Sequence, residues 1–253
     1  MLRLDRFLCE CDASLTRKTA KDLLRDGSVA VNEIICKDPA RKINPESDHV
    51  IVQGRELIYR KYRYFLLNKP AGVLSATQDK KSSTVLDLIP EAGQDYFPVG
   101  RLDRDTVGLL LITNDGPLAH ELLSPKKHVP KTYIAVCRGL LTDADCEPLR
   151  RGMELDDFIA MPAEVRILRN SSEDTPETVL ALTIAEGKYH QVKRMVAAIG
   201  SEVIALRRVR MGGLWLPADL TEGCYTELSE EELKYKLYEV NWENEDRLLR
   251  SYL

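Results

Sequence analysis

One stretch, Val99-Gly-Arg-Leu-Asp-Arg-Asp-Thr-Val-Gly-Leu-Leu-Leu-Ile-Thr-Asn-Asp-Gly116, constrains the fold more than any other. It reads as a charged loop running into a buried strand. Gly100 permits a tight turn, after which Arg101, Asp103, Arg104 and Asp105 crowd together. Gly108 leaves room for close backbone approach, and Leu109 to Ile112 form an unbroken apolar run. Asn114-Asp115-Gly116 signals a turn, with Pro117 placed to open a helix. Taken alone, such charges belong to a solvated loop.

Residues 1–58 read as a small separate unit. Leu2, Leu4, Phe7 and Leu8 predict a short helix. Ser14 or Thr16 then caps a second helix running to Asp26, with Gly27 as its stop. On that helix Arg17, Lys18, Lys21 and Arg25 fall largely on one side, and Ala20, Leu23 and Leu24 on the other. Short strands follow over 28–31, 34–36 and 49–52. Residues 55–63 read as a charged linker.

The large domain begins near Tyr64, with a buried strand broken by Lys69-Pro70-Ala71-Gly72. Leu118, Leu122 and Leu123 make a short helix, and Thr142 caps another running to Leu149. Residues 131–136, 163–168, 178–184 and 203–209 read as strands. Residues 189–199 read as a helix stopped by Gly200, with Val192, Met195, Val196 and Ile199 inward. Strands and helices in this order predict an α+β fold around an antiparallel or mixed sheet.

A chain of 253 residues has room for one large domain and a small one. No run approaches the roughly 18 apolar residues of a membrane span. The N-terminus is charged too early for a signal peptide, so the cytoplasm is the expected location. Six cysteines without a Cys-x-x-Cys pair, and four dispersed histidines, favour reduced thiols over a structural zinc site. There is no phosphate-binding GxxxxGK[ST] and no dinucleotide fingerprint.

The net charge of −4 looks wrong for a nucleic-acid binder until it is divided. Residues 227–253 carry eight acids and four bases, so the rest of the chain sums to zero. Within that rest, residues 186–213 hold six Lys or Arg against Glu186 and Glu202. Local charge density governs phosphate binding, and overall pI is a poor guide to it. The tail itself opens with a helix cap and acids at 229–232. Trp242, Leu248, Leu249, Tyr252 and Leu253 follow as apolar anchors, so an extension over 236–253 is expected to dock or bind a partner. Its acids near the basic stretch 186–213 would repel non-specific polyanions.

Gly100-Arg-Leu-Asp103, Asp105-Thr106, Gly108-Leu-Leu-Leu111 and Thr113-Asn-Asp-Gly116 together resemble the signature loop of the pseudouridine synthases. The match is closest to the RsuA branch, which modifies small-subunit ribosomal RNA, and to its large-subunit relatives. Asn68-Lys-Pro-Ala-Gly72, Pro130-Lys-Thr-Tyr133 and Glu186-Gly-Lys-Tyr-His-Gln-Val-Lys-Arg-Met195 resemble the other motifs, in the same order. The basic helix followed by Gly27-Ser-Val-Ala-Val-Asn32 resembles a small RNA-binding module named after a small-subunit ribosomal protein. The resemblance spans roughly residues 1 to 235. It implies a catalytic domain over 64–235, a mainly antiparallel sheet with a cleft across its middle.

The reaction so implied breaks the N1–C1′ bond of a uridine, turns the base, and joins C5 to C1′. It involves no redox change and no net hydrolysis, so neither cofactor nor metal is expected. The resemblance assigns Asp103 as nucleophile or base, Tyr133 as the ring beside the uracil, and Lys193 as the cation that keeps the carboxylate ionised. Asp105 is the rival carboxylate and Arg194 the rival cation; many family members carry Arg where Lys193 stands. Arg101 is expected to fill the gap left by the flipped base. Lys188, His190, Arg194, Arg207, Arg208 and Arg210 are expected to line an RNA-binding rim. Arg17, Lys18, Lys21 and Arg25 would read phosphates and shape. The expected partner is ribosomal RNA, 16S in a pre-ribosomal particle, met by a monomer without a membrane. The alternatives are a 23S rRNA synthase and a non-catalytic RNA-binding assembly factor.

Overall fold

Thr16 starts its helix by a reciprocal cap. Its Oγ1 accepts from the Thr19 amide (3.2 Å), and Thr19 Oγ1 accepts from the Thr16 amide (2.8 Å). The helix Arg17–Arg25 buries Ala20 and Leu24 and leaves Arg17, Lys18, Lys21 and Arg25 exposed. The helix Leu4–Cys11 adds Leu4, Phe7 and Leu8 to the same core. A four-stranded antiparallel sheet completes this unit, in the order Ile34–Ile35, Val29–Val31, Val50–Val52, Arg55–Leu57. The last strand corrects the linker reading of residues 55–63. Gln53 and Gly54 both take positive φ and reverse the chain, so Arg55 and Glu56 stay exposed while Leu57 is buried. The charges masked a hairpin.

In the computed structural model, which describes residues 1–12, 14–93, 95–171, 176–238 and 245–253, the chain forms two compact units, Met1–Tyr62 and Arg63–Leu253. The larger unit is built on a sheet with main strand order Glu164–Asn170, Glu177–Ile184, Lys131–Arg138, Val203–Met211, Val107–Thr113, Tyr64–Lys69, Tyr225–Leu228. Phe97–Pro98 and Leu214–Trp215 add short pairings at Val107–Thr113 and Val203–Met211. All strand pairings of this sheet but one are antiparallel among the described residues; Val203–Met211 meets Val107–Thr113 in parallel, over Arg207↔Val107 and Arg208↔Gly108 alone. The fold is α+β, and that short parallel seam is where its two halves join.

Alternation along the strands separates two faces. Tyr133, Ala135, Cys137, Leu180 and Leu182 share one core with Val192, Met195 and Val196 of the helix Gln191–Ala198 and with Cys146 and Leu149 of the helix Asp143–Arg151. Ile134, Val179, Ala181 and Val209 form a separate core with Leu249 of the helix Glu245–Arg250. No helix among the described residues is long and apolar enough to cross a membrane.

The C-terminal segment is therefore a packed part of the sheet. Glu245 is buried and lies 3.4 Å from both Arg210 and Arg166, and Leu249 has 1% of its surface exposed. Tyr252, whose hydroxyl donates to the Leu216 carbonyl, has its pKa pushed up to about 12 by burial. Leu253 is exposed and anchors nothing, contrary to its apolar character; Trp242 lies outside the described residues. Leu249→Ala is expected to cost about 2–5 kcal/mol in thermal or urea unfolding and to leave RNA affinity at low salt unchanged. A rise in affinity for unrelated RNA without loss of stability would instead restore the repelling-tail reading.

Candidate active site

The loop carrying Asp103 is clamped from below by residues 69–75. Lys69 Nζ donates to the carbonyls of Thr106 (2.9 Å), Pro70 (3.0 Å) and Arg104 (3.3 Å). The Gly72 amide donates to the Arg104 carbonyl (2.8 Å), and Arg104 Nε returns a bond to the Gly72 carbonyl (3.0 Å). Ser75 Oγ donates to the Leu102 carbonyl (2.9 Å) and accepts from the Leu102 amide (3.1 Å). The Asp103 backbone is thus fixed on both sides before any substrate arrives.

The helix Gln191–Ala198 brings the cation. Because Val192, Met195 and Val196 bury one stripe, Lys193 emerges on the flank beside the loop. Its Nζ stands 3.3 Å from Asp103 Oδ2 and 2.7 and 2.9 Å from the two oxygens of Asp105. His190 Nε2 lies 3.3 Å from Asp103 Oδ1. His190 itself takes the left-handed conformation (φ +49°), an uncommon one for a residue with a side chain. The buried Gln191 braces this turn: its Oε1 accepts from the Lys188 amide (2.9 Å) and its Nε2 donates to Glu186 Oε1 (2.6 Å).

Tyr133 completes the constellation from the strand Lys131–Arg138, 7% exposed. It lines a pocket of about 70 Å³ with Arg101, Asp103, Thr106, Lys188 and Lys193. Beside it, with Arg101, Asp103, Lys188 and His190 shared between the two linings, lies an outer chamber of about 640 Å³ that the exposed Arg104 and Tyr189 also line.

Charge is unevenly shared here. The hydrogen bond from Lys193 holds the Asp105 carboxyl below its ordinary pKa. Burial works against the Lys193 charge, but the bonds to Asp105 and the charges of both carboxylates outweigh it, and its pKa is raised. Sequence reading expected Lys193 to serve Asp103; the structure has it bridging both carboxylates. The arrangement is a carboxylate in a pocket, a shared cation, an imidazole and a phenol.

This site lies within residues that match a known family. The profile described as RNA pseudouridylate synthase matches residues 63–198, and that described as S4 domain matches residues 2–50. The chain belongs to the RNA pseudouridine synthases. It is 44% identical over 235 residues to the "Uncharacterized RNA pseudouridine synthase YtzG" of Bacillus subtilis, covering 92% of this chain and 97% of that one. It is 39% identical over 236 residues to the "Ribosomal small subunit pseudouridine synthase A" of Escherichia coli, covering 92% and 98%. A solved structure, "Crystal structure of pseudouridylate synthase", superposes with a TM-score of 0.63 at 35% identity, over 94% of this chain and all of that one. The protein is an isomerase of RNA uridine, with an S4 unit ahead of its synthase domain.

The synthase corrects part of the expected rim. Arg101 and Lys188 are exposed and His190 is partly so, all three lining the cleft. Arg208 is 2% exposed, with Nε donating to the Leu109 carbonyl (2.8 Å), and Arg210 is 3% exposed, donating to Thr132 Oγ1 (3.0 Å). Neither reaches solvent phosphate. Arg207 bonds Glu222 (2.6 Å), and Arg194 bonds Asp157 over the Phe158 ring, away from Asp103. Arg194 is therefore no rival to Lys193. A charge on a strand or helix gives no sign of which face it takes.

Lys69 is the residue that sequence reading passed over. It has no exposed surface, and burial pulls its pKa down to about 8. Lys69→Met should lower stability by about 2 kcal/mol at pH 7, since it strips buried carbonyls of a donor. Between pH 8 and 10.5 the unfolded chain binds more protons at this lysine than the folded one, so wild-type stability gains with rising pH. The gap to Lys69→Met should widen across that window in urea unfolding. A gap constant from pH 7 to 10 would mean the ammonium is not held as described.

Proposed function

We propose that the protein isomerises a specific uridine of small-subunit (16S) ribosomal RNA to pseudouridine, in a cytoplasmic pre-ribosomal particle and without a cofactor. The reading rests on one observation above the rest: relatives named for the small ribosomal subunit align with this chain over 92% of its length, at 39% and 41% identity. Asp103 acts on the flipped nucleotide, either attacking the ribose or removing the proton that starts glycal formation. Lys193 is its counter-ion, and His190 stands at its other oxygen. The Tyr133 ring stacks on the uracil and carries its hydroxyl to the sugar, while Arg101 occupies the vacated place in the RNA. Lys188 and His190 hold neighbouring phosphate. The test is a map of pseudouridines in both ribosomal RNAs, from a strain lacking this gene and from the same strain complemented. A single uridine restored in 16S RNA is the expected result; one restored in 23S RNA would move the assignment to the large subunit.

The S4 unit contributes affinity. Its exposed Arg17, Lys18, Lys21 and Arg25 contact phosphates without reading sequence. Replacing all four with Gln should weaken ribosomal RNA binding and flatten its salt dependence, by roughly 0.7 to 0.9 in log–log slope for each phosphate no longer neutralised. An unchanged slope would assign that helix face to solvent.

A further inference from the structure

The cleft holds more than the reaction of one nucleotide requires. The inner pocket, about 70 Å³, contains Asp103 and Tyr133; the outer chamber, about 640 Å³, lies beyond it and is shared with it only in part. Arg101, Arg104 and Lys188 line the outer chamber, and among the described residues Asp103 is the one carboxylate in its lining. A concave surface this cationic suits a polyanion. On its wall stands Tyr189, an aromatic ring 76% exposed.

Tyr189 is not a stray surface ring. It stacks on the His190 imidazole, with centroids 3.8 Å apart and planes 18° from parallel. His190 in turn touches Asp103 at 3.3 Å. The stack therefore runs outward from the carboxylate in two layers, imidazole then phenol. It is set by backbone that strongly restricts alternatives: the left-handed His190, and the Gln191 brace on Lys188 and Glu186. An exposed aromatic ring held edge-fixed beside cations is how proteins take up unstacked nucleobases.

We infer that Tyr189 is a stacking platform for the nucleobase adjacent to the target uridine, the outer chamber being a second nucleotide site. The neighbour leaves its own stack when the uridine flips, and lies on Tyr189 as the third layer of the Asp103-anchored column. Arg101, Arg104 and Lys188 surround the phosphodiester path between the two nucleotides. A π-face accepts any base, so the platform holds the RNA open next to the target without choosing a sequence. The inference rests on the RNA uridine substrate of the family and is indifferent to which ribosomal subunit contains it.

The experiment compares full-length wild type, Tyr189→Phe and Tyr189→Leu on total ribosomal RNA from a strain lacking the gene. Steady-state kinetics are then repeated on a short RNA fragment spanning the mapped uridine. Tyr189→Leu should lose between about 5- and 150-fold in kcat/KM, chiefly through KM, and Tyr189→Phe should stay within about twofold of wild type. Making the nucleotide on one side of the target abasic should reproduce that loss, and combining it with Tyr189→Leu should add nothing further. Full kcat/KM in Tyr189→Leu overturns the platform. So does a loss confined to kcat and additive with both abasic fragments, because Tyr189 would then act only through His190 on Asp103. Should wild type modify neither ribosomal RNA, the ribosomal reading fails, and the platform with it; a wild type that modifies RNA alongside an equally active Tyr189→Leu sinks the platform alone. Unchanged melting temperatures in both variants keep a folding defect apart from these outcomes.

Discussion

Asp103→Asn should reduce turnover by a factor on the order of 10⁴ or more, while Asp105→Asn stays within about tenfold of wild type. The two carboxylates are two residues apart, so sequence alone left them as rivals, and in the structure they share Lys193. Their surroundings differ. Asp103 lines both the inner pocket with Tyr133 and the outer chamber, and its side chain is 27% exposed between Lys193 and His190. Asp105 is 72% exposed, lines neither cavity, and turns its carboxylate onto Lys193 from the solvent side. On the proposed mechanism the group that acts on C1′ or C2′ meets the flipped nucleotide beside Tyr133, and of the two carboxylates Asp103 is the one that lines Tyr133's pocket. Neither aspartate belongs to the core, so both variants should unfold within about 0.5 kcal/mol of wild type. Turnover on ribosomal RNA, with RNA affinity measured separately, checks the prediction. An inactive Asp105→Asn beside an active Asp103→Asn would exchange the two roles.

What the sequence made legible follows from what kind of signal each residue gives. Asp103, Tyr133 and Lys193 stand in motifs of fixed spacing, and the structure brings all three to one pocket from a loop, a strand and a helix flank. Gly108 could be read as a place of close backbone approach because glycine's one special property is what it lacks. Arg208 and Arg210 were misread for the opposite reason. In a run such as Leu-Arg-Arg-Val-Arg-Met, charge reports nothing about burial, and the register irregularity between Thr132 and Tyr133 shifts which face each arginine takes. Lys69 looked like a strand terminator beside Pro70, whereas its ammonium is needed where the carbonyls of Arg104 and Thr106, from another part of the chain, converge with that of Pro70. The acidic count over 227–253 likewise hid the edge strand Tyr225–Leu228, which Leu228 ends and where Glu227 also pairs with Arg63 at 2.8 Å; Leu249, legible as an apolar anchor, fills a core. Tyr189 gave no sequence signal separating it from a helix-start residue; its stacking depends on the left-handed His190, which no periodicity reveals.

Gly108→Ala should be the most destabilising single-methyl change in the larger unit, costing about 3–5 kcal/mol. Gly108 has φ +103°, a backbone conformation that side chains rarely adopt, and a Cβ there would lie 2.2 Å from the Arg208 carbonyl oxygen and 2.9 Å from Arg207 Cγ. The clash is with backbone, and the backbone is the parallel seam: Arg208↔Gly108 is one of its two register pairs. The added methyl cannot be relieved by a rotamer, so the strands must part. Parting them separates the loop of Asp103, which feeds directly into Val107–Thr113, from Tyr133, which pairs with Arg208 on the other side. Stability and turnover should therefore fall together. Gly116→Ala is the control, since nothing lies within 4 Å of a Cβ at that helix start and its φ is not positive; it should unfold as wild type does. Neither tryptophan of the sequence falls within residues 1–62, and Trp215 lies in the strand Leu214–Trp215 of the larger unit, so tryptophan fluorescence in urea reports that unit's unfolding separately from that of the S4 unit. Equal midpoints for Gly108→Ala and Gly116→Ala would show that the seam tolerates a side chain, and the account of how its two halves present the site would be wrong.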